Sequence, residues 1–253
     1  MNGPPNPPQN YQEMLTSEGS MVQAKIDNLF QTIGGDTPHR YESQPALIRP
    51  VPLAHLLDSV PLVQVFLPCL TPSKAFSWLS LVYKWPHSET LGETVDEPLA
   101  ALLVLSGQQG GFLFVNADDP VPRQRFSLAH ELGHFLLHSD QIQDEFAHGR
   151  ILALEYSATK QKADSHYLTR ERQANRFAAE LLMPERIVRS IFARAFPQGV
   201  DPKTTKNHLV QLHRVGWFFA QKLLVSPEAF HYRWASLNLV PQFYSKKRPE
   251  VWP

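Results

Sequence analysis

The sequence has little of what marks secreted, membrane-bound or nucleic-acid-binding proteins. Cys69 is the single cysteine among 253 residues, which excludes an internal disulfide. No apolar run approaches the ~18 residues of a membrane helix, and the Pro-rich start lacks the basic and apolar regions of a secretory signal. Lys and Arg together number 24, as do Asp and Glu, so no charge excess favours nucleic acid or an anionic membrane. We therefore expect a cytoplasmic protein that binds neither a membrane nor nucleic acid directly.

A histidine pair at helical spacing is the most informative feature that is present. Residues 130–134 read His-Glu-Leu-Gly-His. On an α-helix, residues four apart lie on one face with Cβ atoms about 5–6 Å apart, so His130 and His134 can bind one metal ion. A carboxylate at Glu131 lies beside that ion, where it can take a proton from water on zinc and act as the general base of a metalloprotease. The alternative is a core helix whose histidines only satisfy hydrogen bonds, which the cost of burying unpartnered polar groups disfavours.

The residues around this motif predict a buried helix over 122–138, because apolar side chains occur on nearly all of its sides. Asp118 and Asp119, which precede two prolines, are typical of a helix start. His138 lies about 12 Å from His130 along such a helix, too far to share the metal. It either supports the site from behind the ligands or is a buried, hydrogen-bonded imidazole.

A catalytic zinc site needs a third protein ligand and keeps its fourth position for water. The best downstream candidate is Glu171, in a second predicted helix over 169–184. Glu171 and Asn175 lie one turn apart beside the apolar stripe, so Glu171 can reach the first helix and Asn175 can hold a ligating imidazole. Three small residues would let the two helices approach closely: Ala174, Ala178 and Ala179. The alternative is that Glu171 is one more solvated charge in an Arg-rich turn.

The stretch between the two helices, residues 139–168, is polar and predicts a long loop, which in a compact domain is usually functional or disordered. A metalloprotease needs a hydrogen-bond donor for the developing oxyanion. Four residues of the loop are candidates, although a surface residue without a catalytic role is the favoured interpretation of each: His148, Tyr156, His166 and Tyr167. The sequence does not select one of them.

Elsewhere the pattern predicts further helices over 22–32, 53–57, 185–195, 204–224 and from Ser226 onwards, and strands over 62–67, 99–105 and 112–116. The last two strands form a hairpin. The strand ending at Asn116 either pairs with an extended substrate peptide by strand addition or is an ordinary core strand. The final helices resemble a helix-turn-helix, but the last one offers only Arg233 as a firm positive charge, which favours packing over DNA reading.

Two long blocks around the candidate ligands occur in the order of one known enzyme family. Residues 123–134 read Arg-Gln-Arg-Phe-Ser-Leu-Ala-His-Glu-Leu-Gly-His, and residues 171–184 read Glu-x-x-Ala-Asn-x-Phe-Ala-Ala-x-Leu-Leu-Met-Pro. Both blocks resemble the ImmA/IrrE family of metallo-endopeptidases, and a weaker likeness extends over residues 22–240. The resemblance implies that His130, His134 and Glu171 are the zinc ligands. It also implies that Glu131 is the catalytic base.

The resemblance also implies an α+β, zincin-like metallopeptidase with a small sheet, an HExxH helix, a third-ligand helix and a helical C-terminal part. We expect a disordered Pro-rich tail over residues 1–20, the metallopeptidase core over 21–184, a helical subdomain over 185–242 and a tail over 243–253. The expected cofactor is Zn²⁺, with Mn²⁺ as the alternative metal.

Relatives in this family imply a protein substrate, a helix-turn-helix transcriptional repressor that is cleaved at a specific site in stress response or in phage and mobile-element regulation. The alternative function is a domain that binds its regulator, or acts in a toxin-antitoxin pair, without hydrolysing peptides. The intact Glu131 argues against this alternative, because a binding fold has no use for a base there. A DNA-binding regulator with a vestigial site is disfavoured by the neutral charge.

Overall fold

The computed structural model describes residues 9–33, 48–84, 96–106, 110–145, 165–200 and 206–240. Within these residues the chain forms eight helices and three strands. The helices are α1 Gln9–Thr32, α2 Leu53–Asp58, α3 Pro72–Tyr83, α4 Val121–Glu145, α5 Ser165–Leu182, α6 Glu185–Ala195, α7 Lys206–Leu223 and α8 Pro227–Ser236. The strands are β1 Leu62–Leu67, β2 Ala101–Ser106 and β3 Gly110–Asn116.

The three strands form one sheet in the order β1-β3-β2, with β1 parallel and β2 antiparallel to β3. The predicted hairpin is therefore present. Since β3 has hydrogen-bonded neighbours on both sides, it has no free edge for a substrate peptide, and of the two alternatives the ordinary core strand is the one that the structure supports. Within the described residues, only β1 and β2 are edges of the sheet.

The sheet lies between two apolar layers because its side chains alternate between its faces. One face packs into the large helical core that includes Leu128 and Leu132 of α4. The other face packs against Ala75 and Leu79 of α3. Sequence reasoning missed α3, although its start has a clear signal: the Thr71 hydroxyl accepts the backbone N–H of Lys74 at 3.3 Å, and proline follows the cap.

Helix α1 begins at Gln9, so the predicted start at residue 22 was too late, and residues 9–20 of the expected disordered tail are helical. The local pattern missed more than three turns of this helix. Glu18, only 9% exposed, lies against α5, where its carboxylate accepts a 2.7 Å hydrogen bond from Arg172 Nη2.

Helices α4 and α5 are both longer than predicted, since α4 continues to Glu145 and α5 starts at Ser165. Residues 139–145 and 165–168 of the predicted loop are therefore helical. His148 and Tyr156 lie outside the described residues, while His166 and Tyr167 belong to the first turn of α5. Neither predicted aspartate cap is seen in its expected role: Asp118 accepts from the backbone N–H and the thiol of Cys69, and Asp119 pairs with Arg123 at 3.3 Å.

The C-terminal helices follow the prediction closely, and Ser226 caps α8 by accepting the N–H of Ala229 at 3.1 Å. The buried Arg233 holds α8 on the end of α5, because its guanidinium bonds the Met183 carbonyl and the Glu180 carboxylate. The favoured interpretation of α8 as a packing helix agrees with this, because its one firm positive charge, Arg233, is used in a buried contact. One hydrophobic cluster holds residues from both sides of Pro184, and the division between a core over 21–184 and a helical part over 185–242 stays a prediction.

Among the helices of the described ranges, none combines the length and the apolar character needed to cross a membrane.

Candidate metal centre

Helices α4 and α5 cross closely enough to bring the candidate ligands together. Ala174 and Ala178 of α5 are fully buried, as the sequence suggested, whereas the third predicted small residue, Ala179, is half-buried. Gly133 contributes to the crossing as well, since a Cβ atom there would lie 3.1 Å from Phe177. The glycine between the two histidines therefore lets the ring of Phe177 pack directly on the α4 backbone.

The structure places His130, His134 and Glu171 in one cluster. Their ligand-type atoms all lie within 4.8 Å of one another. The two imidazole Nε2 atoms are 3.0 Å apart, and the Glu171 carboxylate oxygens lie 3.1 Å from His134 Nε2 and 3.4 Å from His130 Nε2. The prediction that Glu171 reaches across from the second helix therefore agrees with this geometry.

These spacings fit a tetrahedral ion. Ligand atoms about 2.0–2.1 Å from zinc at tetrahedral angles lie about 3.3–3.4 Å apart, close to the separations between these three groups. Two neutral imidazoles and one carboxylate are also a common donor set of catalytic zinc sites. The cluster is a candidate site for one divalent cation.

The Glu171 carboxylate is electrostatically bound to the two imidazoles. Burial alone would raise its pKa, but the hydrogen bonds of His130 and His134 outweigh that effect and hold the pKa of Glu171 well below its usual range. The group is therefore ionised at neutral pH, the form in which a carboxylate binds a metal.

Glu131 lies beside the cluster without joining it. Its side chain is fully buried, and neither carboxylate oxygen has a hydrogen-bond partner within the part of the chain that the structure describes. A buried, unsatisfied carboxylate is costly, and such groups occur where function requires them. A water molecule bound by a metal at the neighbouring cluster would give it the missing donor.

Burial raises the pKa of Glu131; the charges of His130 and His134 oppose this effect, and the charge of Glu171 adds to it. Because the folded-state pKa is raised, the stability that this group contributes is fully present below the unfolded value of about 4.3 and is lost as the pH rises through the folded value. Proton uptake by Glu131 is therefore favoured by the fold.

We predict that Glu131→Leu stabilises the metal-free protein by about 1–3 kcal/mol at pH 8. The substitution replaces an unsatisfied buried carboxylate with an apolar side chain of similar size. The gain should be smaller at pH 5, as the sign of the pKa shift requires. Urea unfolding of chelator-treated protein at both pH values measures this, with the exposed Glu228→Leu as control. A variant less stable than wild type at pH 8 would contradict it.

Both ligating imidazoles have partners at their far nitrogen. Asn175 Oδ1 lies 3.1 Å from His130 Nδ1, the contact that the sequence suggested. His138 Nδ1 lies 3.1 Å from His134 Nδ1, and Gln173 Oε1 lies 2.9 Å from His138 Nε2. Burial lowers the pKa of His138 to about 4, although its hydrogen bond to Gln173 acts in the opposite direction. His138 therefore supports a candidate ligand, and it does so as a neutral ring.

Sequence reasoning missed Gln173 altogether. A glutamine in a polar helix has no special signal, and its place two residues after Glu171 acquires meaning only once His138 is known to face α5. Of the loop residues considered for oxyanion binding, His166 is exposed and Tyr167 is half-buried on α5.

The family model Peptidase_M78, described as the IrrE N-terminal-like domain, matches residues 93–235. The match covers more than half of the 253 residues and includes the whole cluster, so the chain belongs to this family. The resemblance to the ImmA/IrrE family is confirmed, as is the mixed α+β fold with a small sheet. No curated protein is significantly similar to the chain. Family membership and the histidine-glutamate cluster together support a metallopeptidase-type hydrolase that acts on protein.

Proposed function

We propose that this member of the Peptidase_M78 family is a zinc-dependent endopeptidase. His130, His134 and Glu171 hold the metal, and Glu131 is the general base. The observation that carries the proposal is the convergence of three ligand atoms within 4.8 Å beside a buried carboxylate whose oxygens have no partner in the described residues. This pairing of a complete ligand set with an unsatisfied base is what hydrolysis requires and what a structural metal site does not need.

A zinc ion in this site would polarise the scissile carbonyl and lower the pKa of a water molecule to about 7. Glu131 takes the proton from the attacking water and delivers it to the leaving amine, for which its raised pKa suits it. Asn175 and His138 keep the two imidazoles oriented with their Nε2 atoms toward Glu171. All of these groups are carried by helices α4 and α5.

The proposed substrate is a helix-turn-helix transcriptional repressor, cut at one site in stress response or in phage and mobile-element regulation, and the proposed location is the cytoplasm. These finer statements are supported by the resemblance to the ImmA/IrrE family. Zn²⁺ is the proposed metal, with Mn²⁺ as the alternative.

The test is to incubate zinc-loaded full-length protein with a purified helix-turn-helix repressor from the same organism, and in parallel with an unrelated unfolded protein. We expect one cut in the repressor, loss of cleavage after chelation, and recovery on adding Zn²⁺ back. Parallel reconstitution with Mn²⁺ compares the two metals.

Two results would overturn parts of the proposal separately. Cleavage of the unfolded protein but not of the repressor would remove the proposed substrate and keep the peptidase. If the protein binds the repressor, leaves it whole and binds it equally well as Glu131→Gln, the non-catalytic regulator-binding function replaces the enzymatic one.

A further inference from the structure

A line of polar contacts connects helix α1 with the candidate ligand His134. The Glu18 carboxylate accepts hydrogen bonds from Arg172 Nη2 at 2.7 Å and from Gln173 Nε2 at 3.4 Å. Gln173 Oε1 then lies 2.9 Å from His138 Nε2, and His138 Nδ1 lies 3.1 Å from His134 Nδ1. The line ends where His134 Nε2 meets Glu171.

The donor and acceptor groups along this line determine which atom of each contact carries the proton. An ionised carboxylate can only accept, so Glu18 orients the Gln173 amide with its NH₂ group toward α1 and its oxygen toward His138. His138 must then carry its proton on Nε2, which leaves Nδ1 of the neutral ring as an acceptor. In the zinc-bound protein, His134 donates its Nδ1–H to that atom and keeps the lone pair on Nε2, the atom that carries the proton toward Glu171 when no metal is bound.

We propose that Glu18, Gln173 and His138 form a positioning relay that directs the Nε2 lone pair of His134 toward the metal. The proposal rests on the proposed function, because it assumes that His134 is a ligand. It makes α1 part of the metal centre, although Glu18 lies outside the matched residues 93–235. Arg172 anchors the start of the relay by pairing with Glu18, but it is 42% exposed and contributes little energy of its own.

The first test is the zinc affinity of the full chain, measured by competition with a chromogenic chelator. Gln173→Met keeps the length of the side chain but accepts no strong hydrogen bond from His138. We expect it to bind zinc about 10–100-fold more weakly, the usual effect of removing a group that orients a ligating histidine. Asp27→Asn is the matched control, because Asp27 is a carboxylate of α1 whose bond to Gln23 lies outside the relay. It should bind zinc like wild type.

Exchanging the side chains of Glu18 and Gln173 tests the direction of the hydrogen bonds rather than the packing. In Glu18→Gln/Gln173→Glu, the new carboxylate accepts from His138 and the new amide donates to it, so the proton order at both histidines is kept. We expect this double variant to bind zinc within about threefold of wild type, well inside the 10–100-fold loss expected for Gln173→Met. A double variant as weak as Gln173→Met would overturn the relay.

A measurement without mutation covers the case in which a variant fails to fold. In zinc-loaded, ¹⁵N-histidine-labelled wild type, long-range NMR correlations should show protons on Nδ1 of His134 and on Nε2 of His138. The opposite tautomer of His138 overturns the proposal, as does wild-type affinity in a folded Gln173→Met. If wild type binds no zinc, or His134→Ala binds it equally well, the proposed metal site itself fails, and the relay fails with it for that separate reason.

Discussion

Glu131→Gln is expected to lower kcat for peptide cleavage by about 10²–10⁴-fold, the usual contribution of a positioned general base, while zinc remains bound at wild-type stoichiometry. The reason is the division of roles in the site. The ligand atoms of His130, His134 and Glu171 converge, whereas the buried Glu131 carboxylate lies beside them with both oxygens unsatisfied among the described residues. An amide of nearly the same shape cannot take up the proton.

The measurement is single-site cleavage of the repressor under saturating substrate, with bound zinc determined by elemental analysis on the same samples. Glu228→Gln is the control, since Glu228 is an exposed carboxylate in the first turn of α8 and its loss should leave kcat unchanged. A Glu131→Gln protein that retains zinc and cleaves within a factor of a few of wild type would contradict the assignment of the base.

Sequence reasoning predicted the local parts of this site because they depend on spacing along one helix. The pair His130 and His134 follows from helical periodicity, and Glu131 from its place between them. The second helix could be identified from its own apolar stripe. These features need no knowledge of which segments meet in space.

What the sequence could not supply is long-range pairing. The strand order that makes β3 central depends on β1, which comes from another part of the chain, and no local pattern specifies that neighbour. The early part of α1 lies against α5, where Glu18 pairs with Arg172, and a local pattern does not reveal that contact. Gln173 and His138 gain their roles in the same way, through the crossing of α4 and α5.

The site also shows why a residue that function requires can be one that the stability of the fold disfavours. A fully buried carboxylate without a hydrogen-bond partner among the described residues breaks the rule that buried polar groups are satisfied, and a stability-driven sequence would place leucine there. The predicted stabilisation by Glu131→Leu and the predicted loss of activity in Glu131→Gln are thus two consequences of one feature. Stability is given up where the reaction needs a free base.

Glu171→Gln is expected to remove both the metal and the activity. It exchanges the charged oxygens that lie 3.1 and 3.4 Å from the two Nε2 atoms for a neutral amide, a poor zinc ligand. Groups that only orient a ligand are already worth about 10–100-fold in affinity, so loss of a direct ligand should weaken zinc binding by more than about 100-fold. After dialysis against a zinc buffer, wild type should retain one equivalent and the variant almost none.

The control for this variant is Glu185→Gln, which neutralises an exposed carboxylate paired with Arg189 and should keep full zinc occupancy. Stability of the metal-free protein gives a second readout. Since His130 and His134 depress the folded-state pKa of Glu171, its contribution to stability is present above about pH 4.3 and is lost as the pH falls through the folded value. Metal-free Glu171→Gln should therefore be less stable than wild type at pH 7, with a difference that shrinks in acid. The sign of this difference is opposite to that expected for Glu131→Leu. Full zinc occupancy in Glu171→Gln would show that the third ligand lies elsewhere.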